Sequence, residues 1–170
     1  MADFVHLHVH SEFSLLDGLS KIPKLVLQTK VLGMKHLALT DHGGMYGAIK
    51  FYEECKKEGI NPIIGCEIYI AGSSFKEKDT EKSKETYHLT VLARDFEGYR
   101  NLLKLVSIAQ LEGFYYRPRV DKETLSKYSK GLIALSGCNS SEVSKAFVEG
   151  DGEKAKRITN TYNQIFGKEN

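Results

Sequence analysis

A chain of 170 residues, 41% hydrophobic and 27% charged, has the length of one ordinary domain and enough apolar side chain for a core. Its net charge of +2 excludes binding of nucleic acid by charge alone, but not a phosphate-bearing substrate held by metal ions. No apolar run reaches the ~20 residues of a membrane span, there is no secretory signal, and the irregularly spaced Cys55, Cys66 and Cys138 read as reduced thiols of a cytoplasmic protein.

In chain order, FVHLHVH (4–10) alternates as a strand does. Ser20 is the expected N-cap of an amphipathic run with Ile22, Leu25, Val26 and Leu32 that stops at Gly33. HLALTDH (36–42) is a short apolar strand with a polar end. The stretch 45–59 places Ala48, Phe51, Tyr52 and Cys55 on one helical face and ends at Gly59. PIIGCEIYIAG (62–72) is a strand, and the polar, aperiodic SSFKEKDTEKSKE (73–85) reads as a solvated loop. YHLTVLAR (87–94) is a strand, followed by a helix carrying Leu102, Leu103, Val106 and Ala109. GFYYRPR (113–119) is a loop, Asp121 caps DKETLSKY, GLIALSGC (131–138) is a strand, and two helical stretches fill 140–166.

Strands alternating with helices favour a parallel sheet covered by helices, open or closed into a barrel. Five βα units fall short of the usual closed barrel, and the chain ends after a helix, where another strand is expected. The reading is one domain over 1–170, truncated before its last strands.

On that scaffold, polar residues gather where apolar ones would be routine. His6, His8 and His10 share one strand face. Asp17 follows in the next loop, Asp41 and His42 end the second strand, Glu67 lies inside the third, His88 opens the fourth and Cys138 ends the fifth. The carboxyl ends of parallel strands line one site, which suits all of these except His88, placed at the opposite end by these boundaries. The donor types suit zinc, manganese or iron, and seven candidate ligands exceed one tetrahedral ion. Two or three ions sharing carboxylates would use them, lowering the pKa of water so that no protein nucleophile is needed.

Plainer readings stand beside this one. His36 is a packed or surface histidine, and His6, nearer the strand's start, has a structural or supporting role. Asp41 and His42 could cap the next helix, and Cys138 could be a small buried hydrophobe. Cys138 as a thiol nucleophile would leave the histidine pair unexplained. TDHGGMYG has neither spacing of a phosphate-binding glycine loop.

HLHVHSEFSLLDG, LALTDHGGMYG, IIGCEIYI, YHLTVLA, EGFYYRPRVD and GLIALSGC resemble, in order and spacing, the N-terminal PHP (polymerase and histidinol phosphatase) domain of bacterial replicative DNA polymerase III alpha subunits. SEFSLLDG and FYYRPR are the segments most specific to that branch. The resemblance implies a distorted (β/α)7 barrel, C-terminally incomplete here, with a di- or trinuclear metal site. It implies His8, His10, Asp17, His42, Glu67, His88 and Cys138 as ligands to Zn, Mn or Fe, and a further Asp-x-His motif beyond Asn170. Two roles follow: phosphodiester hydrolysis of the 3′–5′ exonuclease type, or a metal-stabilised scaffold contacting the proofreading exonuclease subunit. A stand-alone PHP phosphoesterase acting on phosphate monoesters is the chemical alternative. The expected partners are DNA and the rest of a polymerase chain, with no membrane. Arg117 and Arg119, beside Tyr115 and Tyr116, could hold a phosphate or stack a base, or else pack on another domain.

Overall fold

The computed structural model describes residues 4–15, 17–78 and 81–170. Seven helices and five strands alternate among them: α1 (Ile22–Val31), β1 (His36–Leu39), α2 (Ala48–Glu58), β2 (Asn61–Ala71), α3 (Glu81–Lys84), β3 (Thr86–Ala93), α4 (Phe96–Leu111), β4 (Arg119–Val120), α5 (Lys122–Lys127), β5 (Leu132–Leu135), α6 (Glu142–Val148) and α7 (Gly152–Phe166). No helix of the described residues is long and apolar enough to cross a membrane.

The helix ends follow local chemistry. Asp95, Asp121, Ser141 and Asp151 each accept a backbone N–H from the first turn of α4, α5, α6 and α7. Gly59 ends α2 with φ 74°, a left-handed cap that a side chain would resist. Ser20 does not cap α1; Lys21 holds that position without a side-chain bond, and Pro23 preorganises the first turn.

The sheet is mixed, which corrects the expected all-parallel arrangement. β1 and β2 are parallel, but β3 runs antiparallel to β2, and β5 antiparallel to β3. β4 pairs β2 in parallel. Residues 4–10 are extended beside β1 rather than a ladder strand: Ala38 N–H donates to His6 O and Thr40 N–H to Val9 O. The Val9 N–H goes instead to Thr40 Oγ1.

Period-two alternation sorts the two central strands. Cys66, Ile68 and Ile70 of β2 and Tyr87, Leu89 and Val91 of β3 pack with Leu102, Leu105 and Ala109 of α4, Leu125 of α5 and Phe166 of α7. Leu103, expected in that core, is 40% exposed because it lies on the outer face of α4. The opposite sheet face carries Glu67 across from Thr90 and Tyr69 across from His88. A second cluster joins Ile22 and Val26 of α1, Leu37 and Leu39 of β1, and Phe51 and Cys55 of α2.

The expected solvated loop at 73–85 is exposed at 76–78 and 84–85 but anchored at two points; residues 79–80 lie outside the described residues. Phe75 and Ser83 are buried, and a buried arginine reaches in from β4. Arg119 Nε donates to Gly113 O, Nη2 to Phe75 O (3.0 Å) and Glu77 O, and Nη1 to Ser83 O.

Candidate metal centre

Strand direction resolves the position of His88. Because β3 is antiparallel to β2, its amino end lies where the carboxyl ends of β1 and β2 lie. β5 is antiparallel to β3 in turn, so its carboxyl end, leading to Cys138, arrives at the same place.

Glu67 is the hub, and its side chain is 1% exposed. One carboxylate oxygen, Oε2, is 3.1 Å from His8 Nε2, 2.9 Å from His10 Nε2 and 3.1 Å from His42 Nδ1. The other, Oε1, is 2.8 Å from His88 Nδ1 and 3.7 Å from Cys138 Sγ. Asp17 Oδ2 is 2.7 Å from His42 Nε2, and Cys138 Sγ is 3.7 Å from His88 Nδ1. The fold therefore brings five of the other six sequence-expected ligand residues to the Glu67 carboxylate, and the sixth, Asp17, joins them through His42.

The loop carrying Asp17 is closed by a steric necessity. Gly18 N–H donates to Ser14 O, and a Cβ on Gly18 would stand 1.8 Å from the Ser11 carbonyl oxygen. Gly43, with φ 57°, lets the chain pass Tyr69 and Pro118 just beyond His42.

Beneath the ligands, Asp41 is 2% exposed and accepts the Ser11 N–H, the Ser11 hydroxyl and the Ser14 hydroxyl. With its proton given to Asp41, Ser14 Oγ accepts from His42 N–H and from His10 Nδ1. That network places a proton on His10 Nδ1 and leaves its Nε2 facing Glu67. Asp41 thus reaches His10 and His42 through Ser14. Ser11, Ser14 and Tyr69 were not singled out from sequence, although Tyr69 is two residues from Glu67 and so shares its face.

The electrostatics follow from this crowding. The hydrogen bond to Glu67 raises His10 above the ordinary imidazole value, while burial lowers His42. Burial acts to raise Glu67, yet hydrogen bonds with His10, His8 and His88 hold it well below the usual carboxylate range.

The residues fit divalent ions. Three triads offer ligand atoms within 4.8 Å of one another: His8, His10 and Glu67; His10, Asp17 and His42; His42, Glu67 and His88. Each pair of triads shares one residue, and of the shared residues Glu67, with two carboxylate oxygens, is the one suited to serve two ions. His42 Nδ1 is buried without a hydrogen-bond partner in the fold, near Glu67 but not aligned to bond with it. A coordinating ion satisfies such a lone pair.

The remaining candidates separate. His6 is exposed, its ring meeting Phe4 edge-on at 4.7 Å, and it lies outside all three triads. Arg117 stacks over Tyr69 at 5.0 Å, and Tyr69 in turn stacks on His42 and meets His88 edge-on. Arg119 is corrected: fully buried and spent on backbone carbonyls, it cannot reach a substrate phosphate. Cys55 and Cys66 are buried free thiols, and Cys138 is half-buried.

A family model described as the PHP domain matches residues 6–170. The chain belongs to the PHP domain family. DNA polymerase III subunit alpha of Borreliella burgdorferi is 50% identical over 167 residues, 98% of this chain and 15% of that protein. The same-named protein of Treponema pallidum is 47% identical over 168 residues, 98% of this chain and 14% of that one. This PHP domain therefore spans about one-seventh of the length of these relatives. A Bifidobacterium adolescentis protein, proposed as a metal-dependent phosphoesterase, superposes with a TM-score of 0.50 at 13% identity, covering 95% of this chain and 84% of that one. That likeness concerns the fold, and it agrees with a PHP-type α/β barrel.

Proposed function

We propose that this PHP domain is the N-terminal phosphodiesterase module of a bacterial replicative DNA polymerase III alpha subunit, with His8, His10, Asp17, His42, Glu67, His88 and Cys138 as its metal ligands. The observation that carries the reading is the placement of Glu67, whose two oxygens face different sets of donors and so can bridge ions. Bound zinc, manganese or iron, two or three ions in all, supplies a polarised water at neutral pH and charge for the phosphate. Ser14 and Asp41 hold the His10 ring, Tyr69 backs His42 and His88, and Arg117, stacked on Tyr69, is a cation placed to receive a phosphate oxygen. The reaction is 3′–5′ exonucleolytic hydrolysis of DNA. The partners are DNA, the rest of the cytoplasmic polymerase chain and its proofreading subunit.

A scaffold role is favoured by the same hub, since Glu67 draws together the 8–17 segment, β1, β3 and the end of β5, and ions bound there would add folding free energy. The test is metal content per chain by elemental mass spectrometry on protein purified without chelator, followed by hydrolysis of 3′-labelled single-stranded DNA and of a phosphate monoester. The expected result is at least one ion per chain, lost in the His8→Ala/His10→Ala variant, with DNA cleaved in preference to the monoester. Bound metal without hydrolysis selects the scaffold; a folded protein that takes up no metal sinks both.

A further inference from the structure

The turn between α4 and β4 has a feature that the metal centre does not use. Tyr116 has φ 58°, alone among the described non-glycine residues in the left-handed region, and it is 75% exposed. An exposed tyrosine gains nothing locally from that conformation, so the turn around it must impose it. Tyr115 N–H donates to Arg117 O across the turn, the Tyr115 ring meets Tyr116 edge-on at 4.7 Å, and the buried Arg119 guanidinium lies 5.1 Å over Tyr115. The ring of Tyr116 is therefore presented on a braced support.

What stands beside it is cationic and aromatic. Among the described residues, Lys84, Thr86, Tyr115, Tyr116 and Arg117 line an open cavity of about 260 Å³. Pockets for whole drug-sized ligands run from roughly 300 to 1,000 Å³, so this one suits a single planar group with an attached anion. It adjoins the metal centre through Arg117, stacked on the Tyr69 ring that packs against His42 and His88.

We propose that this cavity is a nucleobase subsite, in which Tyr116 stacks the base of a nucleotide whose phosphate Arg117 holds. The proposal rests on the phosphodiesterase reading and specifies what is gripped: the nucleotide adjoining the scissile phosphate. Stacking on an exposed aromatic tolerates any base, so the subsite selects a nucleic-acid end over a small phosphate ester without reading sequence.

The test compares a fluorescently labelled tetrathymidylate with an abasic tetramer of the same backbone, by anisotropy on the full chain, in chelator and again with added Mn²⁺. Tyr116→Gly is the informative variant, because glycine removes the ring yet favours the left-handed backbone. The wild type is expected to bind tetrathymidylate more tightly than the abasic probe in at least one condition. Tyr116→Gly is expected to lose about 5- to 150-fold in affinity for the former with an undiminished melting temperature. Tyr116→Phe is expected to stay within about twofold of the wild type, and Arg117→Gln to weaken both probes. Equal binding of the two probes by the wild type in both conditions, or unchanged tetrathymidylate binding by Tyr116→Gly, overturns the proposal. Metal content is read on the same samples. Base-dependent binding by a chain that takes up no metal keeps the subsite and removes the hydrolytic reading; a metal-loaded chain indifferent to the base does the reverse.

Discussion

Gly18→Ala adds one methyl group where the structure has no room for it. The added Cβ would lie 1.8 Å from Ser11 O and 2.7 Å from Ser11 C, both backbone atoms that cannot rotate aside. A carbon and a carbonyl oxygen settle no closer than about 3.3 Å, so the two ends of the loop must part by roughly 1.5 Å. Asp17 is the adjacent residue, and its 2.7 Å contact with His42 Nε2 cannot survive a displacement of that size. Ligand distances must hold to within about 0.2 Å for coordination. The ion served by His10, Asp17 and His42 is therefore expected to bind at least tenfold more weakly. The triads of His8, His10 and Glu67 and of His42, Glu67 and His88 keep their geometry. Overpacking of this kind costs about 1–3 kcal/mol, or several degrees of melting temperature at this chain length. Metal titration with elemental mass spectrometry is expected to show one ion fewer per chain in a protein that remains folded. Full stoichiometry at wild-type affinity would refute the claim that this glycine sets the position of Asp17.

Two further outcomes follow from interactions away from the ligands. Arg119→Met removes the guanidinium donors of the Phe75, Glu77 and Ser83 carbonyls, at about 1–3 kcal/mol for each that water cannot reach; the chain is expected to melt several degrees lower, and amides 73–78 to exchange faster. Unchanged exchange in that stretch would show that the arginine does not hold it. Asp95, the N-cap of α4, is held below the ordinary aspartate value by the Gly98 N–H and then by Arg94. A depressed folded-state pKa gives stability that is present above the unfolded value, near 4, and lost as pH falls through the folded one. The melting-temperature gap between wild type and Asp95→Ala is thus expected to narrow on acidification below about pH 4. A gap equally wide at pH 7 and pH 2 would contradict the charge-dependent cap.

The residues that meet at Glu67 were legible because each is of a metal-donor type at a strand end or in an otherwise apolar strand, where a bland role is costly, whereas Asp17 lies in a loop and was legible through the SEFSLLDG resemblance. Strand direction was not legible. The linker at 73–85 is long enough for a crossover, yet among its described residues the helix is the four-residue α3, and β3 returns antiparallel to β2. Nothing in YHLTVLA distinguishes those two directions, because alternation marks faces and not polarity. The pair Arg117 and Arg119 looked equivalent for the same kind of reason. The turn reversal at Tyr116 sends one onto Tyr69 and buries the other. Residues 4–10 have the right alternation for a strand, but the Thr40 hydroxyl intercepts the Val9 N–H.

The pairing of β2 with β3 also governs how the chain tolerates changes in length. His88 faces the site because it stands opposite Tyr69, and Thr90 because it stands opposite Glu67. One residue inserted within β3 ahead of His88 would shift that register by a single step. His88 would then turn into the helix-packed layer, and the apolar side chains of that layer would face the ligands. The same insertion in the linker before Thr86 leaves every cross-strand partner where it was. A change of length is thus expected to be tolerated in the linker before Thr86 and not inside the ladder that aims His88 at the site.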